Sequence, residues 1–348
     1  MPVAETADRA DYVPAIPAAC CWLCGKPGSV IYRGLRDRRG RAPGMWNFRR
    51  CAACGLLWLD PRPAAEHIGR LYADYYTHDQ GARANRAAGW REYARLALLS
   101  GIEGYECLAA GRWQRRLGRL ALGVPPLSEM ARLGLMGLGP TAKGRLLDVG
   151  CGSGRFLALM RRAGWQVSGI EPDPRAAAVA RDRFGIEVCP GGLDEARFRG
   201  RSFDAIVLSH VIEHAADPLA LLAGCRRLLR PGGCLALSTP NIESRGHNLF
   251  GAAWLHLDVP RHLQLFPASG LAAVLRRAGF EHVSITTAAK SAASTWLSSA
   301  AACGQPPSRP LAYARALAFH LAEWRMVSRG NGYGEELFAW ATTGSSSE

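Results

Sequence analysis

The sequence predicts an α/β fold: a doubly wound parallel sheet with helices on both faces, preceded by a small cysteine-knuckle region and a helical connection. Three observations carry this reading. From Gly144 onward, short apolar runs alternate with helical patterns. The first of those runs ends in a turn with glycine at alternate positions, Gly150, Gly152 and Gly154. Two Cys-x-x-Cys pairs stand before residue 63, in a stretch of quite different texture. The chain of 348 residues thus divides into 1–63, 64–140 and 141–348.

In the first region Cys21-x-x-Cys24 and Cys51-x-x-Cys54 are each followed by glycine, Gly25 and Gly55. Four thiolates from two such knuckles suit the tetrahedral preference of zinc, and four leave no open position for a water, so a metal here is structural. A redox pair would be single and set in a βαβ unit. Cys20 offers a competing register, but only Cys21 gives the two-residue gap to Cys24. The knuckles lie further apart than in a short ribbon, which implies an inserted loop; Ser29–Tyr32 and Met45–Phe48 read as strand pieces within it. That loop carries Arg33, Arg36, Arg38, Arg39, Arg41, Arg49 and Arg50 against Asp37 alone. It is either a contact for a phosphate-bearing partner or a solvated charged face.

The second region is aromatic, arginine-rich and helical in pattern. Leu96, Leu98, Leu99, Trp113, Leu117 and Leu120 recur at helical spacing, with Gly and Pro breaking the pattern at 123–126 and 137–140. In the third region, Arg145–Val149 reads as a buried strand and leads into a helix through Phe156–Met160 that Gly164 ends. Gln166–Glu171 is the second strand, and Pro174 opens the next helix. Strands follow at Ile186–Val188, Phe203–Ser209 and Cys234–Thr239, with a helix from Asp217-Pro218 to Leu229 before the last of these. A helix over Leu271–Ala278, a strand over Val283–Thr286 and a final strand over Glu336–Trp340 complete the pattern.

The chemistry concentrates in Leu147-Asp-Val-Gly-Cys-Gly-Ser-Gly154. Glycines there let a ligand approach the backbone, and the following helix amino terminus supplies free N–H groups for a nucleotide-like or carboxylate-bearing ligand. Nicotinamide-binding domains also use a glycine turn, but their spacing is G-x-G-x-x-G. Here the spacing is G-x-G-x-G, with Asp148 just before it and Glu171 closing the next strand, placed to accept from both hydroxyls of a ribose. Either acid taken singly could be a surface or capping carboxylate.

With these residues the chain resembles the class I S-adenosylmethionine-dependent methyltransferases. Within them it is most similar to the ubiquinone-type small-molecule subgroup, through Ser202-Phe-Asp-Ala-Ile-Val-Leu-Ser-His-Val-Ile-Glu-His214, Asp217-Pro218 and Arg227-Leu-Leu-Arg-Pro-Gly-Gly233. The resemblance implies a Rossmann-like sheet of seven strands, mostly parallel, with the last one, around Leu337, antiparallel. It implies that Gly150, Gly152 and Gly154 line the methionine part of the cofactor, with Asp148 near its amino group. It further implies Glu171 on the ribose, Pro172 beside the adenine, Leu193 and Asp194 at the adenine edge, and Ser209 and His210 facing the sulfonium. Zinc-ribbon leaders of this kind also precede methyltransferase domains that act on sugars and other secondary metabolites.

Methyl transfer is an in-line displacement, so positioning supplies much of the catalysis; a hydroxyl or carbon acceptor also needs a base, and histidine is the natural one. Three histidines are candidates: His210, His214 and His262. His210, Glu213 and His214 are spaced to share a face if that stretch is helical, the carboxylate then orienting a ring. The alternative is that the trio only packs the loop over the cofactor. His262 and His210 rank first as bases.

Composition narrows the partners. The formal net charge of +14 invites nucleic acid, but Lys26, Lys143 and Lys290 are the only lysines among 43 basic residues. Arginine excess in an alanine- and glycine-rich chain also follows from GC-rich codons. An odd count of 11 cysteines and an amino terminus without an apolar core argue against a secreted disulfide framework, and no apolar run is long enough to span a bilayer; the expected compartment is the cytoplasm. The leading expectation is methyl transfer to a hydroxyl or carbon of a small molecule (a sugar, lipid-linked compound or secondary metabolite), with S-adenosylmethionine and a structural zinc. The competing one is an RNA-modifying enzyme that uses the ribbon and its arginine loop to hold RNA. Ser-His-Val-Ile after the fourth strand, where N-methylating RNA enzymes often carry Asn/Asp-Pro-Pro-aromatic, counts against it.

Overall fold

The structure, a computed structural model, describes residues 13–39, 42–72, 88–108, 111–120, 124–140, 143–193, 198–304 and 309–344. Strands β1 (Ala15–Ile16), β2 (Gly28–Leu35), β3 (Trp46–Cys51), β4 (Leu57–Asp60) and β5 (Arg62–Pro63) form the amino-terminal region. β2, β3 and β4 are an antiparallel meander, and β1 pairs with β5. A 3-10 stretch, Ala65–Tyr72, leads towards helices α1 (Ala88–Ile102), α2 (Arg112–Leu120) and α3 (Pro125–Gly134).

The third region follows as β6 (Arg145–Val149), α4 (Arg155–Arg162), β7 (Gln166–Glu171), α5 (Pro174–Phe184), β8 (Val188–Pro190) and β9 (Phe203–Ser209). It continues through α6 (Pro218–Leu228), β10 (Leu229–Pro240), α7 (Arg245–Phe250), β11 (Gln264–Leu265) and α8 (Ala268–Arg277). It closes with β12 (Glu281–Ala288), α9 (Ala292–Ala302), α10 (Arg309–Val327) and β13 (Glu336–Thr342). The central sheet has seven strands in the order β12-β13-β10-β9-β6-β7-β8. β8, β7, β6, β9 and β10 are mutually parallel, and β13 runs antiparallel between β10 and β12. The expected doubly wound seven-stranded sheet is what forms.

Local chemistry explains the element boundaries. Asp173 caps α5 by accepting from the Arg175 N–H at 3.0 Å, with Pro174 in the first turn and Gly185 left-handed at the end. Asp217 caps α6 in the same way, accepting from the Ala220 N–H at 3.0 Å. The third parallel strand lies at 188–190, two residues beyond its expected place. Ile186 is occupied in closing α5, its N–H donating to Ala180 O, and its side chain is buried. The alanine-rich helices α9 and α10 fill the stretch between the last two strands, which the sequence pattern left without elements.

Side-chain alternation splits the core across the sheet. Leu147, Val149, Ile206, Leu208, Leu235 and Leu237 face one side, and Leu146, Val207 and Ala236 the other. Each such leucine or isoleucine, fully withdrawn from water, contributes about 2 kcal/mol. Cys21, Leu23, Leu56 and Trp58 belong to the first of these clusters, together with Leu271 and Val274 of α8. The knuckle region therefore shares a core with the central sheet. It shares a sheet with the third region as well, because β11 pairs antiparallel with β4 as the fourth strand of the meander. Among the described residues no helix is long and apolar enough to cross a membrane.

Candidate active site

The glycine turn lies at the carboxyl end of β6, where ligands of open parallel sheets bind. Gly150, Gly152 and Gly154 have φ of 75°, 54° and 73°, left-handed values that glycine adopts without strain. Their surroundings differ. A Cβ on Gly150 would come within 2.8 Å of Val211 and one on Gly154 within 2.7 Å of Ala180, whereas one on Gly152 would meet nothing within 4 Å. Two glycines allow close packing; Gly152 faces open space.

Glu171 ties the turn down, accepting from the Gly152 N–H at 2.7 Å and from the Asp173 N–H at 2.9 Å. Asp148 is 4% exposed and its Oδ1 has no hydrogen-bond partner. Burial, and then the neighbouring Glu171, push its carboxyl up to about 8. A buried carboxyl left unpaired is costly, and a cationic ligand group beside it removes that cost. Pro172 is exposed next to Glu171, Leu193 is buried with its side chain towards Gly224, and Asp194 lies outside the described residues.

Across the end of the sheet stands a histidine cluster. His210 follows β9 with φ of 55°, a strained value for a side-chain-bearing residue, and its N–H donates to Ser238 O at 2.9 Å. Just before it, Ser209 is exposed, its Oγ 3.3 Å from Ser238 Oγ. The His210 ring lies between two carboxylates, with Nδ1 at 3.1 Å from Glu213 and Nε2 at 3.7 Å from Glu336. Burial opposes its charge, but the hydrogen bonds to Glu213 and Glu336 outweigh that and hold the imidazolium to about 10. Both carboxylates sit near 2, because His210 overrides the effect of their burial. A ring that keeps its proton at neutral pH does not suit the role of base, and this weakens the ranking of His210.

Residues Ile212–His214 form a 3-10 turn, so the shared α-helical face expected for His210, Glu213 and His214 does not exist. Glu213 nevertheless reaches His210, and its other oxygen accepts from Thr239 Oγ1 at 2.9 Å. His214 Nδ1 is 3.1 Å from Arg261 O and 2.8 Å from Tyr72 Oη. A carbonyl only accepts, so Nδ1 carries the proton and Nε2 keeps its lone pair. The same logic applies to His262, whose Nδ1 donates to His256 O at 2.7 Å. Burial, and then the charge of His214, bring His262 down to about 4, and the two rings meet edge to face at 4.6 Å. One donor atom each from Glu213, His214 and His262 lie within 4.8 Å of one another, a set able to hold a metal cation.

The knuckle region supports this cluster. Gln264, in the strand added to the meander, donates to Ile212 O at 2.9 Å and to Ala215 O at 2.8 Å. Arg261, 1% exposed, makes a forked pair with Asp37 of the arginine loop at 2.8 and 2.6 Å and reaches Asp258 at 2.9 Å. The knuckles themselves are near-copies. Gly25 N–H donates to Cys21 O and Gly55 N–H to Cys51 O, with the two glycines at φ of 72° and 74°. Cys21 and Cys54 Sγ lie 3.5 Å apart and Cys24 and Cys51 Sγ 3.4 Å apart, with all four within 4.8 Å. Thiolates at the corners of a tetrahedron around zinc stand about 3.8 Å apart, given Zn–S near 2.3 Å. The four cysteines fit a zinc-ribbon-like segment with Cys21, not Cys20, in register.

Nothing in the sequence marked Tyr72, Arg261, Asp258 and His256 as part of the site; Asp37 stood out only as the lone acid of the arginine loop and Glu336 only as the start of the last strand. Two adjacent acids, Glu335 and Glu336, opening an otherwise apolar strand were the one available signal.

Comparison with known proteins agrees with this geometry. Residues 114–285 match a family described as a methyltransferase domain. A ubiquinone biosynthesis O-methyltransferase of Cereibacter sphaeroides is 37% identical over 124 residues, 34% of this chain and 50% of that one. One from Xanthomonas axonopodis pv. citri is 38% identical over 153 residues, 40% of this chain and 64% of that one. The chain thus spans about half to two thirds of the length of these curated relatives. A solved SAM-dependent methyltransferase from Thermotoga maritima is 21% identical with a TM-score of 0.43, covering 67% of this chain and 97% of the other. Residues 114–285 of the chain are thus similar to a methyltransferase domain.

Proposed function

We propose that this protein transfers a methyl group from S-adenosylmethionine to a hydroxyl or carbon acid of a small molecule, with a zinc ribbon forming one wall of the acceptor site. The observation that carries the reading is the pairing of two features at one sheet edge: a buried, unpartnered Asp148 beneath an open glycine turn, and two imidazoles across from it whose Nδ1 atoms each face a main-chain carbonyl. The relatives named for ubiquinone O-methylation support a small-molecule acceptor. Bound S-adenosylmethionine supplies an electrophilic methyl on a sulfonium. Asp148 takes its ammonium group, Glu171 its ribose hydroxyls, and Gly152 leaves room for its methionine chain.

His214 is the base in this reading. Its Nδ1–H is fixed by Arg261 O and Tyr72, so Nε2 is free to take the acceptor's proton, and it is more open to the site than His262. His262 packs against it as a neutral neighbour, and the charged His210, held by Glu213 and Glu336, keeps the loop in place. His214→Gln should lower the rate of methyl transfer by about a hundredfold or more while S-adenosylhomocysteine still binds. The assay follows labelled methyl from S-adenosylmethionine into the small-molecule and RNA fractions of an extract from the producing cells. Label entering RNA, or equal transfer by the variant, defeats the proposal.

A further inference from the structure

The apolar residues that recur at helical spacing ahead of the central sheet part company in the structure. Leu96 and Leu99 of α1 are buried, in one core cluster with Leu157 and Met160 of α4. Trp113, Leu117 and Leu120 of α2 are 70%, 54% and 77% exposed. Single exposed apolar side chains are ordinary on a protein surface, but three at i, i+4 and i+7 of one helix make a continuous stripe.

The opposite face of α2 holds that stripe outward. Gln114 is 2% exposed and donates to Tyr93 O at 2.8 Å. A Cβ on Gly118 would stand 1.8 Å from Ala97 O, and one on Gly101 2.5 Å from Arg119 N. α1 and α2 therefore cross backbone to backbone, which fixes the rotation of α2 about its axis. Turning Trp113 inward would expose Gln114 and lift Gly118 off its seat.

Charge lies beside the stripe. From Cys107 to Ser128 the sequence has no acid and four arginines, Arg112, Arg115, Arg116 and Arg119. Arg115 turns back to pair with Glu106. Arg112, Arg116 and Arg119 are exposed, and at 3.6 residues per turn they form a row next to the apolar one. Arg116 lies over the Trp113 ring, 5.2 Å from its centroid. α10 also exposes Tyr313, Leu317 and Leu321, but from Pro310 to Trp324 it holds a single arginine, Arg315.

We infer that α2 docks this protein on the surface of an anionic membrane. Trp113, Leu117 and Leu120 enter the headgroup boundary while Arg112, Arg116 and Arg119 meet the lipid phosphates. The inference stands apart from the methyl-transfer reading. A helix lying in the interface gains twice: its apolar face leaves water, and its cations approach a negative surface. Tryptophan suits that boundary because its ring is amphipathic. The groove of a partner protein would take the apolar stripe without needing a row of cations along it. RNA would engage the arginines and stack on Trp113, but Leu117 and Leu120 would add nothing to that. Three apolar side chains make a reversible attachment, sensitive to lipid charge and to salt.

Co-sedimentation of the full chain, prepared with zinc supplied, tests this with two kinds of vesicle. One contains phosphatidylglycerol and phosphatidylethanolamine in equal parts; the other is phosphatidylcholine alone. The protein should bind the anionic vesicles about tenfold more tightly or better, and added salt should erase the difference. Trp113→Ser/Leu117→Ser/Leu120→Ser should lose about tenfold or more of the binding, with zinc content and S-adenosylhomocysteine affinity unchanged. Arg112→Gln/Arg116→Gln/Arg119→Gln should lose the preference for anionic lipid, because each arginine near such a surface is worth about fivefold. Leu317→Ser/Leu321→Ser in α10 should bind as the parent does. The inference is overturned if the parent does not bind anionic vesicles at low salt, or if either α2 triple variant binds them equally. It is also overturned if the α10 variant alone loses binding. Two further results overturn it: RNA that binds more tightly than the vesicles and is released by the α2 changes, and self-association that the α2 apolar variant abolishes.

Discussion

The central sheet and the zinc-ribbon-like segment solve the same problem with different means. The sheet buries long apolar strands on both faces; Phe203, Ile206, Val207 and Leu208 of one strand are all fully withdrawn from water. The ribbon has strands of four to eight residues, two of them paired by only a few rungs, and it closes its turns around thiols. One holds itself together by hydrophobic burial. The other borrows: four thiols at its tip that are placed to hold a metal, a strand from residues 264–265, and a place in the core beside α8. The lesson is directional. Damage to the ribbon should travel into the acceptor side, through Gln264 and the Asp37–Arg261 pair, while the cofactor side, built on β6 and β7, should be spared.

The largest effect that tests this contrast is removal of the metal site. Cys24→Ser breaks the tetrahedral set, and metal binding that is worth about 10 kcal/mol or more in small zinc modules is lost with it. Metal analysis should fall from one zinc per chain to none, and amide exchange should rise over residues 13–63 and around 258–265. Binding of S-adenosylhomocysteine should change by less than about threefold. A second metal equivalent in the parent, surviving Cys24→Ser, would mark Glu213, His214 and His262 as occupied. Undisturbed exchange at 258–265 in the variant would break the proposed link between the two regions.

Next in size is Gly152→Arg. At φ of 54° with no neighbour within 4 Å of its Cβ, this position admits a side chain into the open space where the proposed cofactor site lies. S-adenosylhomocysteine affinity should fall more than about a hundredfold, equivalent to roughly 3 kcal/mol, with the zinc content unchanged. The backbone conformation adds about 1 kcal/mol of strain, which a small fall in melting temperature will report. Normal affinity in this variant removes the glycine turn from the cofactor site.

The same contrast explains what the sequence disclosed. Parallel strands buried on both faces read as continuous apolar runs, so β6, β7 and β9 were legible to the residue, and the Asp-Pro caps of α5 and α6 fixed helix starts. The cysteine knuckles carried their own spacing. What stayed hidden depends on contacts between distant segments. The pairing of β4 with Gln264–Leu265 is a two-residue strand with no periodic signature. The protonation of His210 needs Glu336, far along the chain, and the tautomers of His214 and His262 are fixed by main-chain carbonyls that any residue could supply. The sequence brought the right histidines forward, but their relative merit as bases is a property of their partners.

The smallest effect is a proton, and it sharpens the comparison from the cofactor side. Asp148 titrates near 8 in the ligand-free protein because it is buried, with Glu171 adding to the shift, so at pH 6 to 7 it is mostly neutral. An ammonium group placed beside it favours the ionised form, and binding must therefore release a proton. The sign follows: affinity for S-adenosylhomocysteine should rise with pH, by about tenfold per unit between pH 5.5 and 7, where the ligand's own amino group stays protonated. The rise should flatten as pH reaches the Asp148 value near 8. Calorimetry at pH 7 in two buffers of different ionisation enthalpy should give close to one proton released, about 0.9. Asp148→Asn removes the titrating group while keeping the shape. It should bind more weakly at pH 7 and lose most of the slope, with zinc content and ribbon exchange untouched. A wild-type affinity that does not vary over this range, or a slope that survives in Asp148→Asn, would mean that the unpaired carboxyl is not where the ligand's charge is received.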